Sequence, residues 1–142
     1  MFDFLCAIVY IEQEFQSLMP SETKERILFV DDDAELREIL KDQLEGSGYD
    51  FDEAEDGNVA LEKIRERTYD LLLLDITMPG KSGLDVLKEV KQIAPSCRVI
   101  MLTGVVGLSV AIESLKLGAD DYITKPYNLE YLLNSIRRVL HA

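Results

Sequence analysis

The sequence contains few of the residues that build thiolate metal sites, disulfide frameworks and basic surfaces. Its 142 residues include two cysteines, one histidine and no tryptophan. Cys6 and Cys97 lack metal-ligand spacing, so we expect packed, reduced thiols and a cytoplasmic setting. Fifteen basic residues stand against 27 acidic ones, which gives a net charge of -12. This acidity disfavours direct nucleic-acid binding and favours cations and basic partner surfaces as ligands.

The sequence also lacks a hydrophobic run long enough to cross a membrane, so no membrane association is expected. Residues 2–11 are mostly apolar, but acidic residues follow them and no basic residue precedes Lys24, so we do not expect a secretory signal. Apolar residues at helical spacing fit an amphipathic helix here, whereas residues 7–11 fit a strand equally well. We therefore define residues 1–25 as an N-terminal extension whose structure the pattern leaves open. The extension either has no packing role or packs on its own domain or on a neighbouring copy.

The most informative stretch that is present is residues 70–80, in which four consecutive leucines precede Asp75 and a Met-Pro-Gly turn. Four leucines in a row are typical of a strand that is buried on both faces in the middle of a parallel sheet. The turn leaves Asp75 at the carboxyl end of this strand, where open α/β sheets place their ligand sites. A charged carboxylate beside an apolar core requires a compensating cation or hydrogen-bond donors.

The rest of the chain alternates short apolar strands with helical patterns. The predicted strands are residues 27–30, 51–54, 71–74, 98–102 and 121–124. The predicted helix faces are Leu36, Ile39, Leu40 and Leu44; residues 59–67; Leu84, Leu87, Val90 and Ala94; Leu108, Ala111 and Leu115; and Leu129, Leu132, Leu133, Ile136 and Leu140. Asp32 and Glu35 are predicted to form a capping pair at the start of the first helix.

Five strand–helix pairs predict an α/β fold with three layers, a doubly wound five-stranded parallel sheet covered by helices on both faces. Five strands in a chain of this length suit the flavodoxin-like order 2-1-3-4-5. Strands one and three are then neighbours about 4.8 Å apart. Their ends would bring Asp31, Asp32 and Asp75 into one cluster.

Four of the five strand ends carry a polar or reactive side chain, and all four lie on the same rim of the sheet. They are Asp31 with Asp32, then Asp75, Thr103 and Lys125. Three adjacent carboxylates require positive charge, which a hard divalent cation such as Mg²⁺ and the ammonium of Lys125 would supply. Asp75 could then attack phosphorus as a carboxylate nucleophile. Thr103 would offer its hydroxyl to a phosphoryl oxygen.

The region from residue 26 to residue 142 resembles the receiver domains of bacterial two-component response regulators, the CheY-like fold. Four motifs carry the resemblance: Val30-Asp31-Asp32-Asp33, Leu74-Asp75-Ile76-Thr77-Met78-Pro79-Gly80, Leu102-Thr103-Gly104, and Gly118-Ala119-Asp120-Asp121-Tyr122-Ile123-Thr124-Lys125-Pro126. The resemblance implies that residues 26–142 form one receiver domain, which accepts a phosphoryl group and catalyses only its own phosphoryl uptake and loss.

The resemblance also implies a role for each matching residue. Asp75 is similar to the phosphoacceptor, and Asp31 and Asp32 are similar to the acidic pair that holds Mg²⁺ or Mn²⁺. The further implied roles are a metal-binding carbonyl at Thr77, a switch hydroxyl at Thr103, a switch aromatic at Tyr122, a phosphate-binding lysine at Lys125 and a cis peptide before Pro126.

The implied partners are a sensor histidine kinase or phosphotransfer protein, an output domain or downstream protein, and a second copy in a homodimer. The fourth helix, fifth strand and fifth helix would form the output surface. Charged residues available for a dimer on this surface are Lys116, Asp120, Asp121, Arg137 and Arg138. However, Ser135 occupies a position where one transcription-factor branch of the family has arginine, which disfavours that mode of dimerisation.

Two other functions fit parts of the pattern. An aspartyl-phosphate phosphohydrolase would use Asp75 in the same way, but such enzymes carry a second acid two residues later, where this chain has Thr77. A degenerate receiver that serves only as a binding module would not need the complete set of acids, hydroxyl and lysine. The receiver interpretation is therefore favoured over both.

Overall fold

The computed structural model describes residues 24–141 as five strands that alternate with five helices. The strands are β1 (Arg26–Val30), β2 (Asp50–Ala54), β3 (Leu71–Leu74), β4 (Arg98–Thr103) and β5 (Asp121–Thr124). The helices are α1 (Ala34–Glu45), α2 (Gly57–Glu66), α3 (Gly83–Ile93), α4 (Leu108–Lys116) and α5 (Leu129–Leu140). All strand pairs are parallel and the sheet order is β2-β1-β3-β4-β5, which confirms the predicted fold.

The leucine run forms the central strand, as its composition predicts. All four residues of β3 have no solvent-accessible surface, and β3 pairs with β1 on one side and β4 on the other. Burying a leucine side chain contributes about 1.5–3 kcal/mol. In the β1–β3 pair, Val30 lies opposite Leu74, so the next residue of each strand, Asp31 and Asp75, emerges at the same level.

Two apolar cores lie on opposite faces of the sheet, as a three-layer fold requires. Alternate residues of each central strand point to each face, so Leu72 and Leu74 enter one core and Leu71 and Leu73 enter the other. Helices α2 and α3 cover the first core through residues such as Leu61 and Leu87. The second core is covered by α1 and α5, which contribute Leu40, Leu44, Leu132, Ile136 and Val139.

The predicted capping pair at the start of α1 is wrong by one residue. The side chain of Asp33 accepts a hydrogen bond from the backbone N–H of Leu36 at 3.1 Å, so Asp33 is the N-cap. This arrangement leaves the exposed carboxylate of Asp32 without a capping role. The predicted apolar face of α1 is also too wide, because Ile39 is 46% exposed whereas Leu40 and Leu44 are fully buried.

The predicted apolar face of α4 is wrong, because the helix turns that face to solvent. Leu108 is 77% exposed and Leu115 is 50% exposed, whereas the residue that α4 buries is Ser114. The hydroxyl of Ser114 donates to the carbonyl of Val110, four residues earlier, which satisfies it inside the fold. Helix α4 therefore buries little of its surface and exposes its apolar side chains to solvent.

Three further expectations concern the N-terminal extension, the cysteines and membrane-spanning helices. Residues 1–23, which carry the open choice between helix and strand, lie outside the described residues, and so does Cys6. Cys97 is buried, and burial raises the pKa of its thiol to about 11, in line with a packed, unreactive thiol. None of the helices in residues 24–141 has the length and apolar character that crossing a bilayer requires.

Candidate functional site

The structure brings the polar strand ends together at the carboxyl rim of the sheet. The carboxylates of Asp31, Asp32 and Asp75 each place one oxygen within 4.8 Å of the others. Asp31 is 1% exposed and Asp75 is 5% exposed, whereas Asp32 lies at the surface. Lys125 reaches the two buried acids from the end of β5. The site thus combines two buried carboxylates that contact Lys125 with one carboxylate that is accessible to solvent.

Hydrogen bonds hold both the backbone and the carboxylate of Asp31. Its backbone N–H donates to the carbonyl of Ala54 at 3.1 Å, and its carbonyl accepts from Arg37 at 2.7 Å. One carboxylate oxygen accepts from the backbone N–H of Asp33 at 2.9 Å, and the other contacts the ammonium of Lys125. Asp31 is therefore a rigid ligand, and the exposed Asp32 beside it has more freedom to move.

Asp75 is held less tightly than Asp31. Its backbone N–H donates to the carbonyl of Val30 at 3.1 Å, which extends the β1–β3 ladder by one bond. One carboxylate oxygen accepts a long hydrogen bond of 3.3 Å from the backbone N–H of Thr77, and the other lies 3.2 Å from the Nζ atom of Lys125. Both contacts of the Asp75 carboxylate are longer than the 2.9 Å bond that the Asp31 carboxylate accepts from Asp33.

The charges of the site are not balanced within the described residues. Burial raises the pKa of Asp31 above its ordinary value, although the hydrogen bond from Lys125 acts in the opposite direction. Burial alone would lower the pKa of Lys125, but the hydrogen bond and the charge of Asp31, together with Asp75, raise it overall. Three carboxylates and one ammonium leave two negative charges, which one divalent cation would neutralise.

The donor set suits a hard cation such as Mg²⁺. All the candidate ligand atoms are oxygens, they lie close enough together to share one ion, and one of the three carboxylates faces solvent as an entry side. Thr77 is exposed, and its bond to Asp75 places its backbone beside the cluster. The residues present therefore fit the metal that the sequence predicts.

A second set of contacts connects Thr103 to Tyr122 through Val105. The hydroxyl of Thr103 is fully buried and accepts a hydrogen bond from the backbone N–H of Val105 at 3.2 Å. The hydroxyl of Tyr122 donates to the carbonyl of the same residue at 2.5 Å. Val105 is thus held from both sides, at the start of the loop that leads into α4. The sequence motifs did not predict these two bonds, because only the backbone of Val105 takes part in them.

The cis peptide predicted from the sequence is present between Lys125 and Pro126. The backbone N–H of Lys125 donates to the carbonyl of Thr103 at 2.8 Å. The lysine and the hydroxyl therefore emerge at the same level of the sheet.

Gly83 is a structural part of the site that the sequence analysis did not single out. A Cβ atom at Gly83 would lie 2.0 Å from the carbonyl oxygen of Asp75 and 2.7 Å from the Cα atom of Ile76. The backbone N–H of Gly83 donates to the carbonyl of Ile76 at 2.8 Å. The start of α3 therefore packs directly on the backbone that carries Asp75, and no side chain fits between them.

Replacing Gly83 with alanine should destabilise the chain by about 3 kcal/mol. The added methyl group would overlap backbone atoms of Asp75 and Ile76, which cannot move away as a flexible side chain would. Urea denaturation followed by circular dichroism measures the effect. The matched control is Gly104→Ala, at a site with open space around its Cβ position and no positive φ. We expect that control to change stability by less than about 0.5 kcal/mol. Equal denaturation midpoints for the two variants would contradict the contact.

Comparison with known proteins gives one consistent result. The family model for the response regulator receiver domain matches residues 27–137. The chemotaxis protein CheY of Bacillus subtilis is 41% identical over 117 residues, which cover 82% of this chain and 98% of that protein. The transcriptional regulatory protein CpxR of Escherichia coli is 44% identical over 115 residues, which cover 81% of this chain and 49% of CpxR.

A solved structure agrees with these relatives. The response regulator TrrA from Thermotoga maritima, in complex with Mg²⁺ and BeF, is similar with a TM-score of 0.75 and 39% identity. The match covers 82% of this chain and 99% of that chain. The similarity in sequence and the similarity in fold thus extend over the same part of the chain.

Proposed function

The chain belongs to the family of response regulator receiver domains, and we therefore propose that Asp75 takes a phosphoryl group from a sensor histidine kinase or a phosphotransfer protein. The observation that carries this proposal is the cluster of Asp31, Asp32 and Asp75 with Lys125 in contact with its two buried members. That arrangement would bring a nucleophile, a cation site and a positive charge together at the carboxyl rim of the sheet.

In the proposed reaction, a carboxylate oxygen of Asp75 forms a bond to phosphorus as the phosphorus–nitrogen bond of a phosphohistidine breaks. The electron pair of the broken bond stays with the imidazole nitrogen. Mg²⁺, when bound by the three carboxylates and the carbonyl of Thr77, would supply positive charge for the phosphoryl oxygens. Lys125, already in contact with Asp31 and Asp75, would stabilise a further phosphoryl oxygen as a point charge.

The proposed reaction can be tested without the natural donor. Intact-mass measurement after incubation with acetyl phosphate and MgCl₂ should show the gain of one phosphoryl group per chain. The same incubation with EDTA in place of MgCl₂ should show none. Steady release of phosphate from unrelated phosphate esters would instead favour a phosphohydrolase, although Thr77 stands where that class of enzyme carries its second acid.

We propose that the signal leaves through the helix whose apolar face is exposed. The bonds of Thr103 and Tyr122 to Val105 connect the pocket to the loop before α4. Val106, Leu108, Ile112 and Leu115 then expose apolar surface along the loop and the helix. A change at the hydroxyl of Thr103 would shift the position of Val105 and with it the start of α4.

Replacing Tyr122 with phenylalanine should uncouple α4 from the phosphoryl site while leaving phosphoryl uptake intact. The variant loses only the bond to Val105, and a hydrogen bond worth about 1 kcal/mol changes a two-state ratio by about fivefold. NMR of the backbone amides of α4, with and without acetyl phosphate, measures the response. Tyr131→Phe is the control, because Tyr131 is an exposed tyrosine on α5. Loss of phosphoryl uptake in Tyr122→Phe would contradict the assignment.

The homodimer and the cytoplasmic setting stay predictions. Of the five charged residues suggested for a dimer, Asp121 is paired inside the chain with Ser135 and with Arg138, the latter at 2.6 Å. Asp120 is likewise occupied by the backbone N–H of Val99. These internal contacts disfavour a dimer held by the two aspartates. We also propose that the signal passes from this chain to an output domain or to a downstream protein.

A further inference from the structure

Arg37 on α1 is an arginine whose side chain is largely buried and only partly hydrogen-bonded. Its side chain is 13% exposed. Within residues 24–141, its side chain donates one hydrogen bond, from Nη1 to the backbone carbonyl of Asp31, at 2.7 Å. Its Nε atom is buried and has no hydrogen-bond partner among these residues. Burying a guanidinium with an unpaired donor costs free energy, so the arrangement calls for an explanation.

An ion pair with β2 does not explain the buried position of Arg37. The nearest carboxylate is that of Glu53, whose Oε1 atom lies 3.8 Å from Nε, beyond hydrogen-bonding distance. The side chain of Glu53 is 45% exposed, so solvent weakens the pair further. The short contact that Arg37 does make is to the backbone next to the acidic cluster.

The carbonyl that Arg37 contacts belongs to the peptide bond between Asp31 and Asp32. Because a peptide unit is planar, a hydrogen bond to its oxygen restrains the orientation of the plane that joins the Cα atoms of both residues. The directions of both carboxylates depend on that plane. The side chain of Asp32 accepts no hydrogen bond within the described part of the chain, so the position of its carboxylate depends on the backbone that carries it, which includes this peptide.

We propose that Arg37 is a positioning residue for the cation site, which acts by holding the peptide between Asp31 and Asp32. This inference rests on the proposed function, because it concerns the metal that Asp31, Asp32 and Asp75 would bind. Groups that orient metal ligands without touching the metal commonly change metal affinity by 10- to 100-fold when they are removed.

The charge of Arg37 and its proposed positioning role predict opposite changes in Mg²⁺ affinity when Arg37 is removed, so one measurement distinguishes them. By Coulomb's law alone, removing a positive charge near a cation site strengthens cation binding. If Arg37 acts only as a nearby charge, its loss should tighten Mg²⁺ binding. If it positions the ligands, its loss should weaken Mg²⁺ binding.

The test is the dissociation constant of Mg²⁺, measured by isothermal titration calorimetry on the full chain. We expect Arg37→Met to weaken Mg²⁺ binding by about tenfold. Two controls separate the alternatives. Lys41→Met removes a positive charge from the exposed side of α1, and Glu53→Gln removes the distant ion-pair partner but keeps the contact with Asp31. Each control should change the dissociation constant by less than about twofold.

Thermal unfolding of each variant shows whether it is folded before the titration. Should Arg37→Met fail to fold, Arg37→Lys takes its place, because the lysine keeps the charge but lacks the planar guanidinium that makes this contact. Mg²⁺ affinity that is unchanged or tighter in the folded variant would overturn the inference, and so would an equal loss in Glu53→Gln. If the wild type itself binds no Mg²⁺, the proposed function fails; if only the variant comparison fails, Arg37 has a structural role alone.

Discussion

Replacing Asp75 with asparagine should abolish phosphoryl uptake from acetyl phosphate while leaving the fold intact. Asparagine has nearly the same shape as aspartate, but it offers a neutral amide where the reaction needs a carboxylate nucleophile. Loss of a nucleophile can reduce a rate by as much as about 10⁶-fold. In an intact-mass experiment with acetyl phosphate and MgCl₂, the variant should show no phosphate-sized gain when the wild type is fully modified.

The matched control for Asp75→Asn is Asp33→Asn, at an acid next to the cluster. Asp33 is exposed and caps α1, and asparagine is about as good an N-cap as aspartate. The control should therefore take up phosphate as the wild type does. Uptake by Asp75→Asn at the wild-type rate would place the phosphoryl group on a different residue and remove the basis of the proposal.

Replacing Lys125 with methionine should produce the second large effect. The variant should take up the phosphoryl group more slowly and should be less stable than the wild type when no Mg²⁺ is present. Removing a preorganised donor that stabilises developing negative charge typically costs about 10²- to 10³-fold in rate. Without magnesium, the variant also leaves the buried carboxylates of Asp31 and Asp75 without their cation. Breaking a buried ion pair in this way costs about 3–5 kcal/mol.

Magnesium should restore the stability of Lys125→Met but not its uptake rate. Thermal unfolding with and without MgCl₂ measures the first effect, and mass spectrometry over time measures the second. We expect MgCl₂ to raise the unfolding temperature more in this variant than in the wild type, because the metal then supplies the missing charge. Lys116→Met, at an exposed lysine on α4, is the control. Equal stabilisation by MgCl₂ and an unchanged uptake rate would contradict the role of Lys125.

The parts of the fold that follow from local pattern could be predicted from the sequence. The leucine run predicted β3, and the alternation of strands and helices predicted the parallel sheet and its order. The predicted juxtaposition of Asp31 and Asp75 followed from that order, because strands β1 and β3 are neighbours. In each case, the residues that form the sequence pattern are close together in the chain or follow the carboxyl end of a strand.

The parts that depend on contacts between distant segments could not be predicted. Apolar spacing indicates that α4 has an apolar face, but not that this face is turned to solvent, because exposure depends on how the whole helix sits on the sheet. Gly83 and Arg37 act through backbone atoms of Asp75, Ile76 and Asp31, and a backbone contact has no side-chain pattern. For the same reason, the bonds of Val105 were not foreseen.

The proposed function requires a cation bound between Asp31, Asp32 and Asp75. A crystal structure of the chain grown with Mn²⁺, in which anomalous scattering locates the ion, tests this point. We predict one ion within coordination distance of Asp31, Asp75 and the carbonyl of Thr77, with Asp32 bound directly or through water. An ion located elsewhere, or no ion at millimolar Mn²⁺ with the three carboxylates still clustered, would contradict the account.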